Sequence, residues 1–154
     1  LDEIENRVRT YYRPYHETLR GALSALHKSF GQAVFIDWHS MKSVGNAATP
    51  DGAGATRPDF VLGDRHGKSC APGLTRAISD YLTTQGYRVS VNDPYAGGAT
   101  MQRYGAPEQG VHGLQIEMNR ALYLDEKAVT MTDGVPALRK ALSGVLPAIT
   151  DFLG

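Results

Sequence analysis

Only one cysteine, Cys70, occurs in the 154 residues, so an internal disulfide is excluded. A reducing cytoplasm is the expected setting for such a chain. Neither sign of charge is in excess: 16 lysines and arginines face 16 aspartates and glutamates. No global field therefore points to nucleic acid or to an anionic membrane. Long apolar runs are missing too, and none approaches the roughly 20 residues that a membrane span requires. The opening LDEIENR has neither the basic nor the apolar region of a signal peptide. It also lacks an initiator methionine and enters a helical pattern at once, so the chain is expected to start partway through a longer protein. What is present, 42% apolar and 21% charged residues, is the composition of a globular domain long enough to bury a core.

Apolar residues at Leu1, Ile4, Val8, Tyr11, Tyr15, Leu19, Leu23, Leu26 and Phe30 follow steps of three and four, which predicts a long helix over 1–30. Asp2 is its expected N-cap and Gly31 its C′ residue. Pro14 cannot donate its backbone hydrogen bond, so a kink or break is expected there. A buried strand over 33–38 precedes a Gly-rich loop at 45–58, a short strand at 59–62 and a second loop at 63–70. Pro72 opens a helix through Leu74, Ile78, Tyr81 and Leu82 that ends near Gly86. Strands are expected at 87–91 and 111–118, separated by a loop at 96–110. A last helix, capped by Asp133, runs through Leu138, Leu142 and Leu146, with Pro147 as its kink. Alternating strands and helices predict one α/β domain over 1–154, with a mostly parallel central sheet flanked by helices.

Each strand ends in a polar cluster: Asp37/His39, Asp64/Arg65, Asn92/Tyr95 and Glu117/Asn119/Arg120. In a parallel sheet these ends share one edge, so the four are expected to meet in one cleft. His39 at such an end can bind a metal or move a proton near neutral pH. Glu117 alternates with Leu114, Ile116 and Met118, which puts it on the opposite face with Gln115, as a solvated carboxylate or as a general base. Arg57, Arg65, Arg103 and Arg120 lie in or beside strand-end loops and together point to an anionic substrate. Cys70 with His66 lacks a third orienting group, Ser40 is not in a G-x-S-x-G elbow, and the loop at 45–54 is not a phosphate loop.

Several segments resemble the N-formylglutamate amidohydrolases: YYRPYH at 11–16, DWHSM at 37–41, PDFVLGDR at 58–65 with Gly67 and Ser69-Cys70, VNDPY at 91–95 with Gly97-Gly98, and HGLQIEMNRALY at 112–123. The resemblance spans nearly the whole chain. It implies a zinc-carboxypeptidase-like fold, similar also to the aspartoacylases. The implied reaction is hydrolysis of N-formyl-L-glutamate to formate and L-glutamate, in histidine degradation. Carried over residue by residue, it makes His39 a zinc ligand and Glu117 the carboxylate that activates water. Arg65 is the first choice for a substrate carboxylate, with Arg103 and Arg120 behind it. Asn92, Tyr95 and Ser40 are expected to line the pocket.

Family members also carry an N-terminal half with a P-H-S-G segment and an acidic residue, which would supply the remaining Zn²⁺ ligands; neither occurs here. The chain is thus expected to hold part of a site, and to pair with the missing segment or with itself. The expected partner is a small anionic N-acyl amino acid, with no nucleic acid or membrane. Two alternatives stay open: a related N-acyl-amino-acid deacylase or carboxypeptidase-like hydrolase, and a non-catalytic binding module.

Overall fold

The N-terminal apolar stripe forms helix over almost its whole length in the computed structural model, which describes residues 2–154. Helix α1 (Asp2–Arg7) passes through a π-turn at Val8–Tyr12 into α2 (Arg13–Phe30). Asp2, the expected cap, is itself helical; Leu1 lies outside the described residues. The expected break at Pro14 is absent. A proline lacks an N–H and crowds the carbonyl of the turn before it. Here that turn is widened, with the Arg13 N–H reaching the Val8 carbonyl, and a π-bulge takes up the mismatch. Gly31 ends the helix with φ of 74° and donates its N–H to the His27 carbonyl.

Four strands follow: β1 (Ala33–Met41), β2 (Phe60–Gly63), β3 (Val89–Val91) and β4 (Val111–Asn119), in the spatial order β1-β4-β2-β3. β1 is parallel to β4 and β2 is parallel to β3, but β2 runs antiparallel to β4. The connections explain this mixture. Only α3 (Pro72–Thr84), with 13 residues, is long enough to carry the chain back to its starting edge. No helix joins β1 to β2, and the link from β3 to β4 holds only the short α4 (Ala99–Tyr104) and one 3₁₀ turn. Each of these links ends at the edge where it began, so strand direction reverses.

The single cleft expected of four strand ends is corrected accordingly. The ends of β1 and β4 share one edge, while those of β2 and β3 lie at the other.

Side-chain alternation gives the sheet two unlike faces. Val34, Ile36, Phe60, Leu62, Leu114 and Ile116 pack against Leu74, Ile78 and Leu82 of α3, and against two C-terminal helices, α5 (Val135–Ser143) and α6 (Val145–Leu153). The other face carries Phe35, Asp37 and His39 beside Gly113, Gln115 and Glu117. Helices α2 and α4 cover its far end, where Tyr104 meets the Phe35 ring edge-on at 6.4 Å. The expected last helix is thus two. It breaks at Gly144, not at Pro147, because the Tyr81 hydroxyl donates to the Ala141 carbonyl at 2.9 Å and leaves no room for a Cβ at 144. Pro147 falls in the first turn of α6, where its missing N–H costs nothing. Gly134, not Asp133, precedes α5. A small hairpin of β5 (Leu124–Asp125) and β6 (Thr130–Met131) links β4 to α5.

His112 lies on the core face, its Nδ1 accepting from the Ala71 N–H at 3.3 Å. Burial lowers its pKa, and protonation would put a second hydrogen where that N–H already points. The unfolded chain therefore takes up a proton more readily just below the ordinary histidine value of 6.5. This part of the stability is complete above that value and is lost as pH falls below it. The urea midpoint is expected to drop between about pH 7 and about pH 5, with a shallower drop in His112→Asn. Equal slopes in the two proteins would refute this role.

Candidate active site

His39 and Glu117 come together because β1 and β4 are parallel and in register, with Asp37 opposite Gln115 and His39 opposite Glu117. His39 Nδ1 stands 3.9 Å from Glu117 Oε1, and its Nε2 stands 3.1 Å from Asp37 Oδ1. The imidazole is half exposed, whereas the carboxylate is buried between β1 and β2. Burial pushes the Glu117 carboxyl above the usual range; His39, a hydrogen bond from Gln115 and the charge of Arg57 pull the other way. A buried acid with a raised proton affinity beside a histidine is equipped for proton transfer.

Arg57, weighed in the sequence only as one of four loop arginines, is almost fully buried at the same edge. Its Nε and Nη2 donate to the two Asp51 oxygens at 2.8 and 2.9 Å, and its Nη1 to the Lys42 carbonyl at 3.1 Å. Tyr95 lies 5.1 Å from the guanidinium carbon, ring face on. The Arg57 guanidinium holds the Asp51 carboxyl well below the usual carboxylate range. This pair ties down both ends of the loop after β1. Gln115 is the second residue the sequence reading did not assign; its place in the alternation with Glu117 was the available signal. Nothing in the aperiodic loop at 45–58 marks Asp51 and Arg57 as partners.

The other expected site residues are scattered. Asn92 is spent at the opposite edge, where its Nδ2 donates to Asp64 Oδ1 at 2.8 Å and its Oδ1 accepts from the Asp64 N–H at 3.1 Å. Arg65 is beside it in a left-handed conformation with φ of 55°, its backbone N–H on the Ala96 carbonyl. Arg103 donates to the Tyr12 hydroxyl on the N-terminal helix. Arg120 donates to the Ser40 hydroxyl at 3.2 Å and carbonyl at 3.3 Å. Ser40, next in the strand to His39, turns to the other face. Cys70 is fully buried, and burial pushes its thiol up to about 11, so it is not a nucleophile.

A catalytic zinc takes three protein ligands and a water. His39 offers one imidazole, and among the described residues no group of three or more His, Cys, Asp or Glu could hold a metal ion. The described residues do not by themselves fit a zinc site.

The family model for N-formylglutamate amidohydrolase matches residues 1–124. An N-formylglutamate deformylase of Pseudomonas aeruginosa is 36% identical over 118 residues, which are 76% of this chain and 43% of that protein. The Pseudomonas putida N-formylglutamate deformylase is 32% identical over 126 residues, 81% of this chain and 46% of that protein. The crystal structure of N-formylglutamate amidohydrolase from Ralstonia eutropha JMP134 superposes with a TM-score of 0.81 at 32% identity, covering 97% of this chain and 52% of that one. The chain thus spans about half the length of the relatives it matches. On these grounds it belongs to the N-formylglutamate amidohydrolase family.

Proposed function

We propose that this chain supplies the proton-transfer part of a site that hydrolyses N-formyl-L-glutamate to formate and L-glutamate, in cytoplasmic histidine breakdown. One observation carries the reading: His39 and Glu117 sit side by side on parallel strands in a member of this family. In the reaction a water oxygen bonds to the formyl carbon, the C–N bond breaks, and a water proton passes to the departing amine. Glu117 takes that proton and delivers it to nitrogen, which its raised proton affinity favours. Half exposed, His39 lines the approach to the carboxylate. Arg65, with no side-chain hydrogen bond or ion pair among the described residues, is the proposed grip on a glutamate carboxylate; Arg103 and Arg120 are second choices because Tyr12 and Ser40 already engage them.

Zinc enters this proposal only for a protein in which donors from outside these residues join His39, and pairing with such a segment is part of the same proposal. The second reading, a chain that is non-catalytic alone, is supported by the missing three-donor group among the described residues. One assay tests both. Formyl-, acetyl- and succinyl-glutamate are compared, and zinc is measured after gel filtration. The expected results are a formyl preference of about tenfold or more in the active protein, and less than one zinc per molecule on residues 1–154 alone. Equal rates on all three substrates would assign a broader deacylase. Stoichiometric zinc on this chain would overturn the incomplete site.

A further inference from the structure

The side chain of Gln115 is oriented from both ends. Its Oε1 accepts the Gly98 N–H at 2.8 Å, and its Nε2 donates to Glu117 Oε1 at 3.0 Å. A backbone N–H can only donate, so it fixes which end of the amide is oxygen and directs the NH₂ group at the carboxylate. Gln115 is itself buried, which keeps water from competing for either bond.

The Gly98 donor is held in turn by the fold. Asp64 accepts from Asn92, from Thr75 Oγ1 at 2.9 Å and from the Gly67 N–H at 3.0 Å, while the Arg65 N–H meets the Ala96 carbonyl at 2.7 Å. The segment at 96–98 then lies directly on Gly63, where a Cβ would come within 2.6 Å of the Gly97 nitrogen. Gly97 itself has φ of 110°, a conformation that other residues rarely adopt. The expected pocket residue Asn92 therefore reaches the site through a chain of contacts: Asn92 to Asp64, the loop to Gly98, Gly98 to Gln115, and Gln115 to Glu117.

The consequence concerns the two oxygens of Glu117. Oε1 takes the Gln115 hydrogen bond and stands nearest His39. Oε2 takes no hydrogen bond from the described residues. We propose that Gln115 is a positioning residue that holds the Glu117 carboxylate by its Oε1 and leaves Oε2 without a partner among the described residues. This rests on the amidohydrolase reading above. It adds the device by which the loop after β3 orients the base.

Two measurements test it. In this chain, NMR of the Gln115 side-chain amide is expected to show two well-separated protons that exchange with water at least about tenfold more slowly than surface glutamines. Gly98→Pro, which removes the donor to Oε1 and sets ring carbons against that oxygen, should bring their exchange toward the surface rate. Surface-like exchange in the unsubstituted chain would overturn the proposal. In a protein that hydrolyses N-formyl-L-glutamate, Gln115→Met keeps length but cannot donate. It should lower kcat about tenfold to a hundredfold with KM within about twofold.

Unchanged kcat in Gln115→Met beside an inactive Glu117→Gln overturns the positioning role and leaves the amidohydrolase reading intact. Full turnover in Glu117→Gln overturns that reading and the catalytic role of Gln115 with it, even where the NMR signature of the hydrogen bond persists.

Discussion

In a protein that hydrolyses N-formyl-L-glutamate, Glu117→Gln is expected to lower kcat by about a hundredfold to ten-thousandfold, the range general acid–base catalysis contributes. The substitution preserves shape: a glutamine Oε1 can still accept from Gln115, and a buried group that must otherwise be desolvated as an anion becomes neutral. Folding should therefore be intact, with a urea midpoint no lower than that of the unsubstituted protein. KM should change little, because in the proposed reaction the carboxylate works on the water and the leaving nitrogen. Glu117→Asp is the companion variant. It keeps a base but withdraws it by one methylene, and a misplacement of about 1 Å at a reacting group costs about a hundredfold. The order expected is thus Glu, then Asp, then Gln. Turnover undiminished in Glu117→Gln would remove Glu117 from the reaction.

That pairing of base and histidine was legible because strand periodicity is local. Alternation alone places His39 with Asp37, and Glu117 with Gln115. The family motifs supply the reason to set the two strands against each other. Strand direction was not legible in the same way. It depends on whether each connection crosses the sheet, and an aperiodic stretch such as 42–59 does not announce that it turns back at the same edge. The ends of β2 and β3 consequently lie at the other edge from those of β1 and β4, while β1, α3 and β4 fall near their expected places. The same limit hid Arg57: its partner Asp51 is a loop residue, and only the fold shows that the guanidinium is buried and paired. Arg120 shows the opposite case. A strand-end arginine reads as a free anion grip, yet two hydrogen bonds to Ser40 tie it to the far side of the strand.

The largest expected loss of stability comes from Phe60→Ala. Phe60 opens β2 between β4, where it pairs with Met118, and β3, where it pairs with Val89, so it is central to the sheet despite being first in its strand. Its side chain is fully buried and meets the Tyr87 ring edge-on at 5.1 Å. Truncation removes a whole ring from the core and leaves a space that a sheet hydrogen-bonded on both sides of β2 cannot close. A cost of about 3–5 kcal/mol follows, including an aromatic pair worth about 0.5–1.5 kcal/mol. Against a total of about 5–15 kcal/mol for a domain, that is enough to move the urea midpoint far toward zero. Phe60→Leu refills much of the volume and should recover more than half of the loss. The site should report the same event, because β2 also carries Gly63, the bed of the loop that holds Gln115. Slow exchange of the Gln115 amide should therefore be lost together with global stability in Phe60→Ala. A loss below about 1 kcal/mol would mean that the sheet closes around the cavity and that β2 is not the rigid centre described.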